Sequence, residues 1–133
     1  MNRQGREGMD EDEIGRIVVN EAIKVHKALG PGLLESSYEA CLAFELAESE
    51  LKVERQKPLP LVYKGVFLDC GYRIDLLAEG KVIVEIKTVE LLTNVHLAQM
   101  ITYLKLSQCK LGFLINFNVR LLKEGIKRVV NKF

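Results

Sequence analysis

Ile14, Ile17, Val18, Ala22, Val25 and Leu29 recur at helical spacing behind the acidic run Asp10-Glu-Asp-Glu, which predicts a helix from about Asp12 to Leu29. Gly30-Pro31-Gly32 ends it. A second helix is expected from about Leu34 to Glu50, with Leu34, Tyr38, Cys41, Leu42, Leu46 and Leu51 turned inward. The apolar period then shortens to two. Val53 to Gln56 reads as a short strand, and Pro58 and Pro60 mark a turn or an edge strand. Leu61 to Lys64 and Val66 to Leu77 read as a hairpin about Lys64-Gly65. Lys81 to Val89 carries Val82, Ile83, Val84 and Ile86 on both faces and is expected as the buried central strand. Thr93 is expected to cap a helix through Leu106, and Lys110 to Asn116 to form a strand. Arg120 to Val130, with Leu121, Leu122, Ile126, Val129 and Val130 apolar, is expected as a last amphipathic helix. The expected order is α-α-β-β-β-β-α-β-α, an α/β fold with a mixed sheet flanked by helices.

A chain of 133 residues can bury one real core, so a single domain over residues 10–133 is expected, preceded by a disordered tail over 1–9. No apolar run reaches the length of a membrane span, and the polar start carries no secretory signal. Cys41, Cys70 and Cys109 are odd in number with no close pair, which fits free thiols in a reducing cytoplasm and argues against zinc. The net charge of +1 says little, but its distribution says more. From Met9 to Glu50 ten acidic residues face three basic ones, a balance of −7; from Lys105 to Phe133 seven basic residues face Glu124 alone, a balance of +6. The basic segment either faces a polyanion or compensates the acidic helices within the fold.

Candidate chemistry centres on the central strand. Glu85 and Lys87 stand at i and i+2, on one face of a strand that is otherwise apolar. Charge buried there costs several kcal/mol per ion unless it is paired or bound to a metal. Asp75 lies ten positions upstream across the Glu79-Gly80 turn, and an antiparallel return would bring it back near Glu85. A solvated Glu-x-Lys ion pair is the plain alternative. Two carboxylates and a lysine converging at the sheet also suit a hard divalent cation and a water to be activated. Glu35 sits in the first turn of the second helix, where it favours the dipole, and shares a face with Tyr38. Gln99 and Tyr103 form an i, i+4 pair; the glutamine is either a buried residue satisfied by backbone or one that reaches Glu85 and Lys87. His26 and His96 are solitary and read as packing or helix-face residues. No nucleophile triad and no phosphate-cradling glycine loop is present.

Gly32-x-x-Glu35-x-x-Tyr38, Arg55-Gln56, Asp75, Glu85-Ile86-Lys87, Gln99-x-x-x-Tyr103 and Gly112-x-x-x-Asn116-Phe117 follow one another in order. Together they resemble the GxxExxY protein family, which is similar to a minimal PD-(D/E)xK nuclease. The likeness runs over about residues 14–131 and implies a restriction-endonuclease-like core. It implies a metal-dependent nuclease that hydrolyses phosphodiester bonds of nucleic acid, with DNA as the expected partner. The alternative it leaves open is a nucleic-acid- or protein-binding module on the same fold. Asp75, Glu85 and the Ile86 carbonyl would hold Mg²⁺ or Mn²⁺, with Glu35 contributing directly or through a water. Lys87 would orient or deprotonate the attacking water, and Gln99 and Tyr103 would position the metal site and the nucleic-acid backbone. The resemblance departs at Ile74, which stands where many members carry proline. A domain this small leaves room for a second subunit to help encircle a substrate.

Overall fold

The computed structural model describes residues 8–131. Two helices come first among the described residues, α1 (Glu11–Leu29) and α2 (Glu35–Glu48). The carboxylate of Asp10 accepts the Glu13 N–H at 2.8 Å and so caps α1, satisfying one of the four N–H groups a helix start leaves free. The inward stripe of α1 is Ile14, Val18, Ala22 and Val25, as its 3.6-residue period requires. Leu34, expected inward, instead precedes α2 as an extended cap residue and is 74% exposed. Met9, expected in the tail, is buried, while residues 1–7 of that tail lie outside the described residues.

Seven strands follow: β1 (Val53–Pro58), β2 (Leu61–Tyr63), β3 (Val66–Leu68), β4 (Arg73–Ala78), β5 (Val82–Lys87), β6 (Leu111–Asn116) and β7 (Ile126–Val130). Helix α3 (Asn94–Ser107) links β5 to β6. The main sheet has the order β1-β4-β5-β6-β7; β5 and β6 are parallel and every other pair is antiparallel. A parallel pair needs a crossover, and α3 supplies it. Helices α1 and α2 cover one face of the sheet over Leu76, Val84, Ile86, Phe113 and Ile115. Helix α3 covers the other through Met100, Tyr103 and Leu104, against Ile74, Leu77, Ile83 and Leu114. Each fully buried aliphatic side chain in these layers stabilises by about 1.5–3 kcal/mol. No described helix is long and apolar enough to cross a membrane.

Two expected elements take other forms. The hairpin strand from Val66 to Leu77 is interrupted after Leu68: the Asp69 carboxylate accepts the Gly71 N–H at 3.0 Å, and Gly71 adopts φ 82°. β2 and β3 therefore pair only with each other, and β4 joins the main sheet beside β1. The last helix is absent. Leu122–Glu124 form one 3-10 turn, and Ile126–Val130 are a strand antiparallel to β6. Ile126, Val129 and Val130 are β-branched, with χ1 stiff in a helix and suited to a pleated sheet. Val129 is buried against the α3 layer, so this strand closes the sheet where a helix was expected.

Candidate active site

The ladder between β4 and β5 pairs Ala78 with Val82, Leu77 with Ile83 and Leu76 with Val84. One step further Asp75 and Glu85 face each other, and there side chains replace the backbone acceptors. The Glu85 carboxylate accepts the Asp75 N–H at 2.8 Å, and the Asp75 carboxylate accepts the Ile86 N–H at 2.8 Å. The side-chain alternation of β4 breaks at the same place. Ile74 packs in the α3 layer, while Leu76 and Ala78, at the same parity, pack under α1 and α2. Each carboxylate thus satisfies an N–H on the opposing strand, and two acids are held together at the mouth of the divergence.

Both acids resist ionisation. Glu85 is 3% exposed, and burial together with the negative charge of Asp75 pushes its carboxyl up from 4.5 to about 8. Asp75 is also raised, by burial first and by Glu39 further, against the opposing pull of the Ile86 N–H, Gln56 and Lys87. The Lys87 ammonium donates to Gln99 Oε1 at 3.4 Å, and Gln99 Nε2 donates to the Tyr103 hydroxyl at 3.3 Å. Lys87 closes no ion pair with either acid among the described residues, yet its charge lowers the proton affinity of both. Burial and then the charges of Glu85 and Asp75 raise the Tyr103 phenol. The acid pair and the Lys87–Gln99–Tyr103 chain are thus two hydrogen-bonded groups coupled to each other through their charges.

Glu35 approaches from α2. It is exposed, and its carboxylate accepts the Thr88 N–H at 3.2 Å, one residue past Lys87. Tyr38 does not share that outward face. It is fully buried, donates from its hydroxyl to the Gly30 carbonyl, accepts the Leu33 N–H at 3.2 Å and stacks on Phe117 with ring centroids 4.4 Å apart. Tyr38 and Gly32, whose φ of 103° favours glycine, thus shape the loop that delivers Glu35. The two histidines are structural: His26 is buried with Nε2 donating to the Val119 carbonyl at 2.8 Å, and His96 Nδ1 accepts the Thr93 N–H at 3.0 Å at the start of α3.

Glu39 is the acid that spacing did not single out. It is 7% exposed and accepts from Gln56 Nε2 at 2.6 Å and from Arg55 Nε at 3.2 Å. Gln56 also donates to Asp75 at 3.2 Å, so its amide bridges the two acids. Its backbone lies in the left-handed region, at φ 50°, within a strand. Such a conformation costs about 1–3 kcal/mol in a non-glycine residue and turns its side chain toward the acids. The signal was available: Glu39 is one turn beyond Glu35, and Arg55-Gln56 belonged to the motif series.

The donor chemistry of the cluster fits a hard divalent cation. Two carboxylates and the Ile86 carbonyl are oxygen donors, and a cation offsets both the burial and the repulsion from Asp75 that hold a proton on Glu85. Among the described residues no group of three or more His, Cys, Asp or Glu side chains is disposed to hold a metal, so waters would complete the shell. No curated protein and no solved structure gives a significant match to the chain. A family model described as the PD-(D/E)XK nuclease superfamily does match, over residues 12–129 and so across the sheet, the crossover helix and the acidic cluster. The chain belongs to the PD-(D/E)XK nuclease superfamily.

Proposed function

We propose that this protein is a metal-dependent nuclease that hydrolyses phosphodiester bonds of DNA, in the GxxExxY branch of its superfamily, where its motif series fits. The observation that carries the reading is the pair of opposed carboxylates beside Lys87 in an apolar strand, with the Glu85 proton held to about 8. Two backbone N–H groups could be satisfied by neutral acceptors, without setting one buried carboxyl against another. A catalyst of phosphodiester hydrolysis needs them to hold a cation.

Asp75, Glu85 and the Ile86 carbonyl would hold Mg²⁺ or Mn²⁺, and Glu35 would add a contact through water. The bound cation would supply Lewis-acid polarisation of the phosphate. Lys87, steadied by Gln99, orients the attacking water and offsets charge building on the phosphate oxygens. Tyr103 fixes the far side of the Gln99 amide. Glu39 holds Gln56 against Asp75 and is a positioning residue.

A second reading has its own support. Asp75 and Glu85 each already accept a backbone N–H, as they would in a binding module without turnover. Incubation of the purified protein with labelled DNA and RNA, in Mg²⁺, Mn²⁺ or EDTA, separates the two. Metal-dependent cleavage of DNA that Glu85→Gln abolishes is the expected result. Binding without cleavage under every metal condition would establish the second reading, and cleavage of RNA alone would change the substrate.

A further inference from the structure

Beyond β6 the chain leaves the sheet at the same end as Lys87. Lys87 and Asn116 are partners in the parallel ladder, and the Phe117 N–H donates to the Lys87 carbonyl at 2.9 Å. The Asn116 amide then clamps Val89, donating to its carbonyl at 2.8 Å and accepting its N–H at 3.1 Å. His26, on the last turn of α1, holds the loop a little further on through Val119. Between α1 and this loop lies a groove of about 400 Å³ lined by Lys27, Arg120 and Lys123 together with Gly30, Pro31 and Leu121. No acidic residue lines it. All three cations are exposed, and none has an ion-pair partner among the described residues.

We infer that this groove carries backbone phosphates of the DNA strand that passes through the Asp75–Glu85–Lys87 cleft; the inference rests on the nuclease reading above. Three like charges around one concavity repel one another, and a polyanion relieves that repulsion while releasing its own counterions. The frame is fixed rather than loose, because Asn116, Phe117 and Val119 are tied down by hydrogen bonds to Val89, to Lys87 at the end of β5 and to His26 of α1. Reach is sufficient. Arg120 is four residues past Asn116, so its Cα lies within about 14 Å of that residue, and a neighbouring strand adds about 5 Å to Lys87. At a rise of about 3.4 Å per nucleotide, that is no more than five or six nucleotides of one strand. The groove also divides the basic C-terminal segment. Arg128 pairs with Asp12 at 2.8 Å on the surface, whereas Arg120 and Lys123 turn to the groove.

The test is DNA binding in EDTA, followed by fluorescence anisotropy over a range of salt, for the wild type and for Lys27→Ala/Arg120→Ala/Lys123→Ala. Removing three phosphate contacts should flatten the slope of log affinity against log salt by about 2–3. Affinity near ~100 mM salt should fall at least about tenfold. Lys24→Ala/Lys105→Ala/Lys110→Ala removes the same charge elsewhere and should stay close to the wild type. Arg120→Gln alone should flatten the slope by about 0.7–0.9 and decides the same question if the triple variant does not fold. Equal affinity and slope in wild type and groove variant would overturn the groove while leaving the nuclease reading intact, as would an equal loss in the control. That is also the outcome for a groove that serves an acidic protein instead. A wild type that neither binds nor cuts DNA would overturn both.

Discussion

Glu85 is the residue whose environment departs furthest from that of a free side chain. In the folded protein its carboxyl releases its proton at about 8, against 4.5 ordinarily. Between those values the folded state keeps a proton that the unfolded state has lost. Stability without metal is therefore full below the lower value and declines as pH rises toward the upper one. Thermal melts in EDTA from about pH 5 to 9 should show this decline, and Glu85→Gln, which cannot titrate, should flatten it. An identical slope in the variant would mean that Glu85 is not the titrating group. Lys87 answers to a different measurement. It holds no metal in the mechanism proposed, so Lys87→Ala should bind Mn²⁺ nearly as the wild type does and cleave about 10²–10³-fold more slowly. A folded Lys87→Ala protein cleaving at the wild-type rate would make that lysine structural. The meeting of Asp75 and Glu85 was legible because it follows from period-2 spacing plus one antiparallel return. The contact of Gln99 with Lys87 was left open, because i, i+4 spacing does not say where α3 meets the sheet. Glu39 was not legible. In the sequence it is one more acid in an acid-rich helix, and its burial is decided by Arg55 and Gln56, which arrive from β1.

At the scale of elements, local periodicity located α1, α2, α3 and β5 because each carries a complete apolar pattern within its own length. It failed after Arg120. Leu121, Leu122, Ile126, Val129 and Val130 satisfy a helical repeat, but the free edge of β6 offers backbone partners that a helix would leave unpaired. That competition is non-local and leaves no mark in a short window. Gly125 does leave one. Its carbonyl accepts the Asn116 N–H at 2.8 Å, and a Cβ at this position would run into the Asn116 carbonyl oxygen. The obstacle is backbone, which cannot rotate aside. Gly125→Ala should therefore destabilise the protein by about 2–3 kcal/mol in denaturant unfolding. A loss below about 0.5 kcal/mol would mean that the turn into β7 yields easily.

For the molecule as a whole, the mixed sheet flanked by helices could be read from element order, whereas the separate β2–β3 hairpin could not. The hairpin about Lys64-Gly65 was expected to run on to Leu77, yet Asp69 and Gly71 turn the chain away before β4 begins, and Val62, Tyr63, Val66 and Phe67 are all exposed. The charge asymmetry likewise took shape only in three dimensions, where Arg128 meets Asp12 at the surface while Arg120 and Lys123 line an open groove. The opposed carboxylates at the end of the β4–β5 ladder have a consequence of another kind. The carboxylates expected to grip a cation are the same ones that hold the Asp75 and Ile86 amide protons. A cation drawing on them weakens that hold. Added Mg²⁺ should thus speed hydrogen exchange at those two amides while Val84, inside the regular ladder, keeps its protection. Unchanged rates at saturating Mg²⁺ would put the cation somewhere else. If they change, two backbone protons act as a built-in gauge of metal occupancy, readable without any substrate.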